Sequence, residues 1–148
     1  MQIIVTGHGN FATGIESTVH LLAGKINNVS YIDFTAGMSE EDLGAKFKEQ
    51  AAKDKSTVFF CDLLGGTPYK QAATLKATQP DADIAVVCGC NVASLMENGL
   101  MGLDNFKSAH DLADKIITTA KAGIREFGVK PQAAKPAASE PDDEEDGI

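Results

Sequence analysis

The sequence predicts an α/β protein: an open, mostly parallel four-stranded sheet of order 2-1-3-4 with helices on both faces. Two observations carry this expectation. Short apolar runs alternate four times with segments whose apolar residues recur at helical spacing. The runs are apolar at nearly every position rather than at every second one, the pattern of strands covered on both faces. A chain of 148 residues with 43% hydrophobic residues is long enough to close one domain around such a sheet.

The elements follow in order. Residues 2–7 (QIIVTG) form a short β-branched strand. From Asn10 to about Gly24, Phe11, Ile15, Val19, Leu21 and Leu22 mark a helix that Gly24 stops. VSYIDF at 29–34 is a second strand, and residues 39–53 a second helix opened by capping Ser39 and early acids. TVFFCD at 57–62 is a third strand, and residues 67–77 a third helix with Pro68 at its first position. DIAVVCG at 83–89 is a fourth strand, with Cys88 and Cys90 alternating along it as packing residues, and NVASLMENGL at 91–100 is helical. A last helix begins near 108, and residues 123–129 are a candidate short strand. Domain organisation then reads as one domain over 1–129 and a Pro/Ala-rich acidic tail over 130–148.

Charge narrows the function. The net charge is −8, of which residues 131–148 carry −5, leaving a weakly charged body with no electrostatic footprint for nucleic acid. The first apolar run is too short for a signal peptide, and no segment reaches the ~20 apolar residues of a membrane span. Cys61, Cys88 and Cys90 show no C-x-x-C spacing, so they are expected to be reduced thiols of a cytoplasmic protein. A zinc site including His8 is a weak alternative.

In a doubly wound sheet the ligand site lies past the carboxyl ends of the strands, where strand order reverses. Strands one and three meet there, so the loops GHGN and DLLGGTP face each other. His8 and Asp62 form the expected pair. A carboxylate that accepts from one imidazole nitrogen fixes the tautomer and leaves the other nitrogen a free lone pair. Gly65, Gly66 and Thr67 lead into a helix start, where backbone N–H groups and a hydroxyl make an anion cradle. A nucleophilic histidine beside such a cradle suggests a phosphohistidine. The motifs are neither a Walker loop nor a dinucleotide fingerprint, and these loops hold no acidic cluster for Mg²⁺; no cofactor is expected. The plainer alternatives are a turn role for His8, a turn or cap role for Asp62, and an N-cap role for Thr67. His20 and His110 read as structural or solvated.

GHGNFATG near the start, DLLGGTP some fifty residues on and the four β/α repeats resemble the IIA component of the phosphoenolpyruvate-dependent sugar phosphotransferase system, mannose/fructose/sorbose type, over roughly residues 1–129. The resemblance implies that His8 takes phosphate from the carrier HPr and passes it to a separate IIB component, and so indirectly to the membrane IIC and IID permease. It implies that Asp62 orients His8 while Gly65, Gly66 and Thr67 hold phosphoryl oxygens. It also implies a homodimer with a swapped C-terminal strand, for which residues 123–129 are the candidate. An amino sugar such as N-acetylgalactosamine or galactosamine is the leaning for the transported sugar. The alternatives from other classes are a phosphoryl carrier for dihydroxyacetone kinase and a non-enzymatic regulatory module.

Overall fold

A computed structural model describes residues 1–130 of the protein. Strand β1 (Gln2–His8) lies between β2 (Val29–Phe34) and β3 (Ser56–Cys61), and β4 (Asp83–Cys88) pairs with the far side of β3. All three pairings are parallel and give the order 2-1-3-4.

Helices α1 (Phe11–Ala23), α4 (Val92–Leu100) and α5 (Ala109–Gly123) cover one face, and α2 (Glu40–Ala51) and α3 (Thr67–Thr78) cover the other. The pleat sorts the strand residues between them. Ile3, Val5, Val58, Phe60 and Val87 pack on the first face, while Ile4, Phe59, Cys61 and Ile84 pack on the second. Ile3, Ile4, Val5, Val58, Phe59 and Phe60 are all 0% exposed, which is why these strands are apolar without alternation. Each such side chain contributes ~1.5–3 kcal/mol on burial. Phe47 of α2 meets Phe59 of β3 with ring centroids 4.9 Å apart, tilted rather than stacked.

Local chemistry starts three of the helices. Ser39, Asn91 and Ser108 each accept a hydrogen bond from the backbone N–H three residues on, at Asp42, Ser94 and Asp111. Helix α1 is different, because Asn10 makes no side-chain cap bond. Asp33, at the end of β2, caps it instead. Its Oδ1 accepts from the N–H of Ala12 (2.7 Å) and Thr13 (3.1 Å), and its Oδ2 accepts from the Thr13 hydroxyl (2.6 Å).

Several sequence expectations are corrected. Helix α3 begins at Thr67 with Gly66 as its N-cap, so Thr67 is no cap and Pro68 sits second. Strand β4 ends at Cys88, and Cys90 lies beyond it against the first core face rather than alternating along the strand. Gly123 is the last residue of α5, and residues 124–130 form no strand within this chain. The expected tail lies outside the described residues beyond 130. Among the described residues no helix is long and apolar enough to cross a membrane.

Candidate functional site

The parallel order brings the carboxyl ends of β1 and β3 side by side, and two residues meet there. Strand β1 runs through His8, so the histidine closes a strand rather than opening a loop, with Phe34 of β2 as its register partner. The backbone then turns sharply at Gly9, whose φ of +59° is a conformation glycine adopts readily. The N–H of Gly9 donates to the carbonyl of Phe34 at 2.9 Å, tying the turn to β2. The rings of Phe34 and His8 meet edge to face, with centroids 5.8 Å apart.

Asp62 follows β3 directly. Its backbone continues the pairing, with its N–H on Thr6 O (3.0 Å) and its carbonyl accepting from Gly89 (3.1 Å). Its carboxylate takes three donors: the His8 main-chain N–H (2.9 Å) and His8 Nδ1 (2.7 Å) on Oδ2, and the Leu63 N–H (2.8 Å) on Oδ1. Burial alone would raise the Asp62 pKa, but the hydrogen bonds from His8 and Leu63 outweigh it and hold the carboxyl below its usual range. An ionised carboxylate accepts only, so it assigns the ring proton to Nδ1 and leaves Nε2 with a lone pair. The His8 side chain is 43% exposed against 10% for Asp62: the orienting group is sheltered and the ring faces outward.

The loop after Asp62 closes on the free side of that ring. A Cβ on Gly66 would lie 2.6 Å from His8 Cε1 and 3.3 Å from Nε2, so the bare Cα is what lets the loop approach. The backbone N–H groups of Gly65 and Thr67 donate to no acceptor among the described residues. They lie at the N-terminus of α3, where the helix dipole favours an anion. The Thr67 hydroxyl donates at 3.2 Å to Glu40 Oε1, in the first turn of α2. Gln71 Nε2 holds the other Glu40 oxygen at 3.4 Å.

The five site residues expected from the sequence, His8, Asp62, Gly65, Gly66 and Thr67, thus gather in one place. Four neighbours were not expected: Asp33, Phe34, Glu40 and Gln71. The strand order itself was a signal for the first two, since it sets the end of β2 beside that of β1. Nothing local in the sequence marks Glu40, which reads as an ordinary first-turn acid. His20 and His110 lie away from the pair and are exposed; His110 Nε2 is 3.1 Å from Lys76 Nζ. Burial raises the pKa of Cys61 and of Cys90, the latter to about 12, so neither is a thiolate nucleophile. No group of three or more His, Cys, Asp or Glu side chains among the described residues could hold a metal.

The protein is therefore a doubly wound α/β fold that presents an oriented histidine at its switch point, where such sheets bind ligands. Residues 2–117 match the family model described as the PTS system fructose IIA component, and the chain belongs to that family. It is 31% identical over 147 residues to the mannose-specific EIIAB component of Escherichia coli K12, covering 95% of this chain and 45% of that protein. The chain therefore spans about half the length of these relatives. It is 32% identical over 101 residues to the fructose-specific EIIA component of Bacillus subtilis, covering 66% of this chain and 67% of that protein. The crystal structure of a phosphotransferase system EIIA component from Streptococcus agalactiae superposes with a TM-score of 0.80 at 38% identity, over 85% of this chain and 96% of that one. A mannose/sorbose-specific IIA subunit from Enterococcus faecalis shares the fold, with a TM-score of 0.74 at 21% identity over 89% of this chain and 98% of that one.

Proposed function

We propose that this chain is a cytoplasmic phosphoryl carrier of a sugar phosphotransferase system, with residues 1–129 as the carrier domain and His8 as its covalent site. In this reading Nε2 of His8 attacks the phosphorus of a phosphohistidine on HPr. The donor N–P bond breaks, its electron pair stays on the donor imidazole, and a new N–P bond forms on His8. The phosphoryl then leaves by the same chemistry to a histidine of a IIB component, and onward to sugar at the membrane IIC and IID permease. The system is of the mannose/fructose/sorbose type, and the sugar it transports in this reading is an amino sugar such as N-acetylgalactosamine or galactosamine.

The observation that carries the reading is the His8–Asp62 pair, with Nδ1 on the carboxylate at 2.7 Å and Nε2 left open. Substitution at Nε2 with the proton kept on Nδ1 puts a positive charge on the ring, and Asp62 stands ready to neutralise it. The unpaired N–H groups of Gly65 and Thr67 suit phosphoryl oxygens, while bare Gly66 leaves room for the group. Catalysis is positioning: partner docking sets the two histidines in line, and the cradle spreads the charge of the transferred group.

A homodimer is part of the same proposal. Strand β4 is a sheet edge, and a groove of about 770 Å³ runs along it, lined by Tyr69, Ile84, Val86, Ala113 and Ile117 among others. Beyond α5, Ile124, Phe127 and Val129 are all exposed. An open edge and a detached apolar segment are complementary features, and pairing the segment of one subunit with the edge of another covers both.

The test is phosphorylation with phosphoenolpyruvate, enzyme I and HPr, read by intact mass and peptide mapping. One acid-labile phosphoryl group on His8, dependent on HPr and lost in His8→Ala, is the expected result. An unlabelled but folded protein would sink the carrier reading.

A further inference from the structure

The hydroxyl of Thr67 has a single proton, and the structure spends it on a carboxylate. Glu40 Oε1 accepts it at 3.2 Å across the gap between α2 and α3. The carboxylate is held from its other side, where Gln71 Nε2 donates to Oε2 at 3.4 Å. Gly44, one turn further along α2, makes room for that amide: a Cβ there would lie 2.9 Å from Gln71 Oε1. Glu40 is thus an ionisable group fixed against the anion cradle by two side chains of α3, although its own place on α2 is exposed.

We propose that Glu40 is a positioning residue of the phosphoryl site, acting through Thr67 to weaken the hold on the phosphoryl group. The inference rests on the carrier reading of His8. Thr67 adjoins Gly66, whose Cα lies against the His8 ring beside Nε2. A phosphoryl on Nε2 and the Glu40 carboxylate compete for the one hydroxyl proton. Glu40 also sets a negative charge near a dianion in a site whose motifs contain no lysine or arginine. Both effects raise the free energy of the phosphorylated state relative to the empty one. A carrier needs this, because a group held too tightly does not move on. Gln71 and Gly44 serve the arrangement by keeping the carboxylate in place.

The experiment equilibrates the full chain with phosphorylated HPr and reads the fraction of each protein phosphorylated by intact mass. Glu40→Ala is expected to raise the equilibrium constant for phosphoryl on this chain about 3- to 10-fold, the scale of one hydrogen bond. Glu40→Gln, which keeps the size and an acceptor but loses the charge, moves it the same way by less. In a Thr67→Val background most of the Glu40→Ala effect disappears. Thermal unfolding of each variant is read in parallel, since a merely structural Glu40 would lower Tm and leave the equilibrium constant alone. An unchanged or lowered constant in Glu40→Ala, or an equal shift with and without the Thr67 hydroxyl, overturns the proposal. A wild-type chain that takes no label overturns this inference and the carrier reading together, whereas a labelled wild type with an unmoved Glu40→Ala overturns this inference alone.

Discussion

One oxygen of Asp62, Oδ2, accepts both the main-chain N–H of His8 at 2.9 Å and its ring Nδ1 at 2.7 Å. The same atom therefore fixes where the histidine backbone lies and which way its ring turns. A single carboxylate does both because β1 and β3 are adjacent and parallel, so their ends arrive together.

Replacing that carboxylate should separate the fold from the chemistry. Asp62→Ala leaves the core untouched, since its side chain belongs to neither hydrophobic face. It frees the ring to rotate and to change tautomer. Phosphoryl transfer to His8 is expected to slow by roughly tenfold or more, the cost of a lost orientation, with the circular dichroism spectrum unchanged. Stopped-quench phosphorylation measures the rate, and a wild-type rate refutes the orienting role.

The acid limb of stability offers a second check. Three donors hold the Asp62 pKa below its unfolded value, burial notwithstanding. A depressed carboxyl stabilises the fold fully above the unfolded pKa of ~3.9, and loses that contribution as pH falls through the folded value. The stability gap between wild type and Asp62→Asn, measured by urea unfolding with all three donors in place, should be fully present at about pH 5. Below about pH 4 it should shrink. A gap that widens on acidification contradicts the hydrogen bonding described here.

Gly66 is sensitive for steric reasons alone. Its φ of −71° suits any residue, but a Cβ would meet His8 Cε1 at 2.6 Å and Leu63 Cδ1 at 3.0 Å. Gly66→Ala must push the ring or the loop aside, and a displacement of that order costs transfer about 10²-fold. Gly14, where a Cβ meets nothing within 4 Å, is the control. Gly14→Ala within α1 should stabilise by ~0.5–1 kcal/mol and leave transfer alone. Equal transfer rates in the two variants would contradict the close approach of loop and ring.

Helix α1 relies on a cap delivered from 20 and 21 residues away, Asp33 bonding Thr13 and Ala12. Asp33→Ala strips three hydrogen bonds from its first turn and is expected to cost ~1–2 kcal/mol. A Tm lower by several degrees in calorimetry is the signature, and an unchanged Tm would mean that Asn10 takes over the cap. Because Asp33 already occupies the N-terminus of α1, that helix end is closed to an anion. The N-terminus of α3 is the one that remains beside His8.

Much of this was written in the residues themselves. Unbroken apolar runs meant strands buried on both sides. Their alternation with helical spacing meant a parallel sheet, since parallel strands need crossovers. Ser39 announced its helix because capping is a contact over three residues and so is legible locally. The place where His8 and Asp62 meet was legible too, because GHGN and DLLGGTP set a histidine, a carboxylate and bare backbone at the ends of neighbouring strands.

What tertiary structure alone decided lies across long separations. His8 and Asp62 are 54 residues apart, and only the realised register makes one oxygen serve both the backbone and the ring. Asp33 as the cap of α1, Gly66 rather than Thr67 as the cap of α3, and the Thr67 hydroxyl turned onto Glu40 all depend on which helix ends the packed sheet sets together. Propensity and periodicity report what a segment does within a few residues. A hydrogen bond between elements reports where the whole chain has placed them, so the partner of a polar side chain is fixed only when the core has closed.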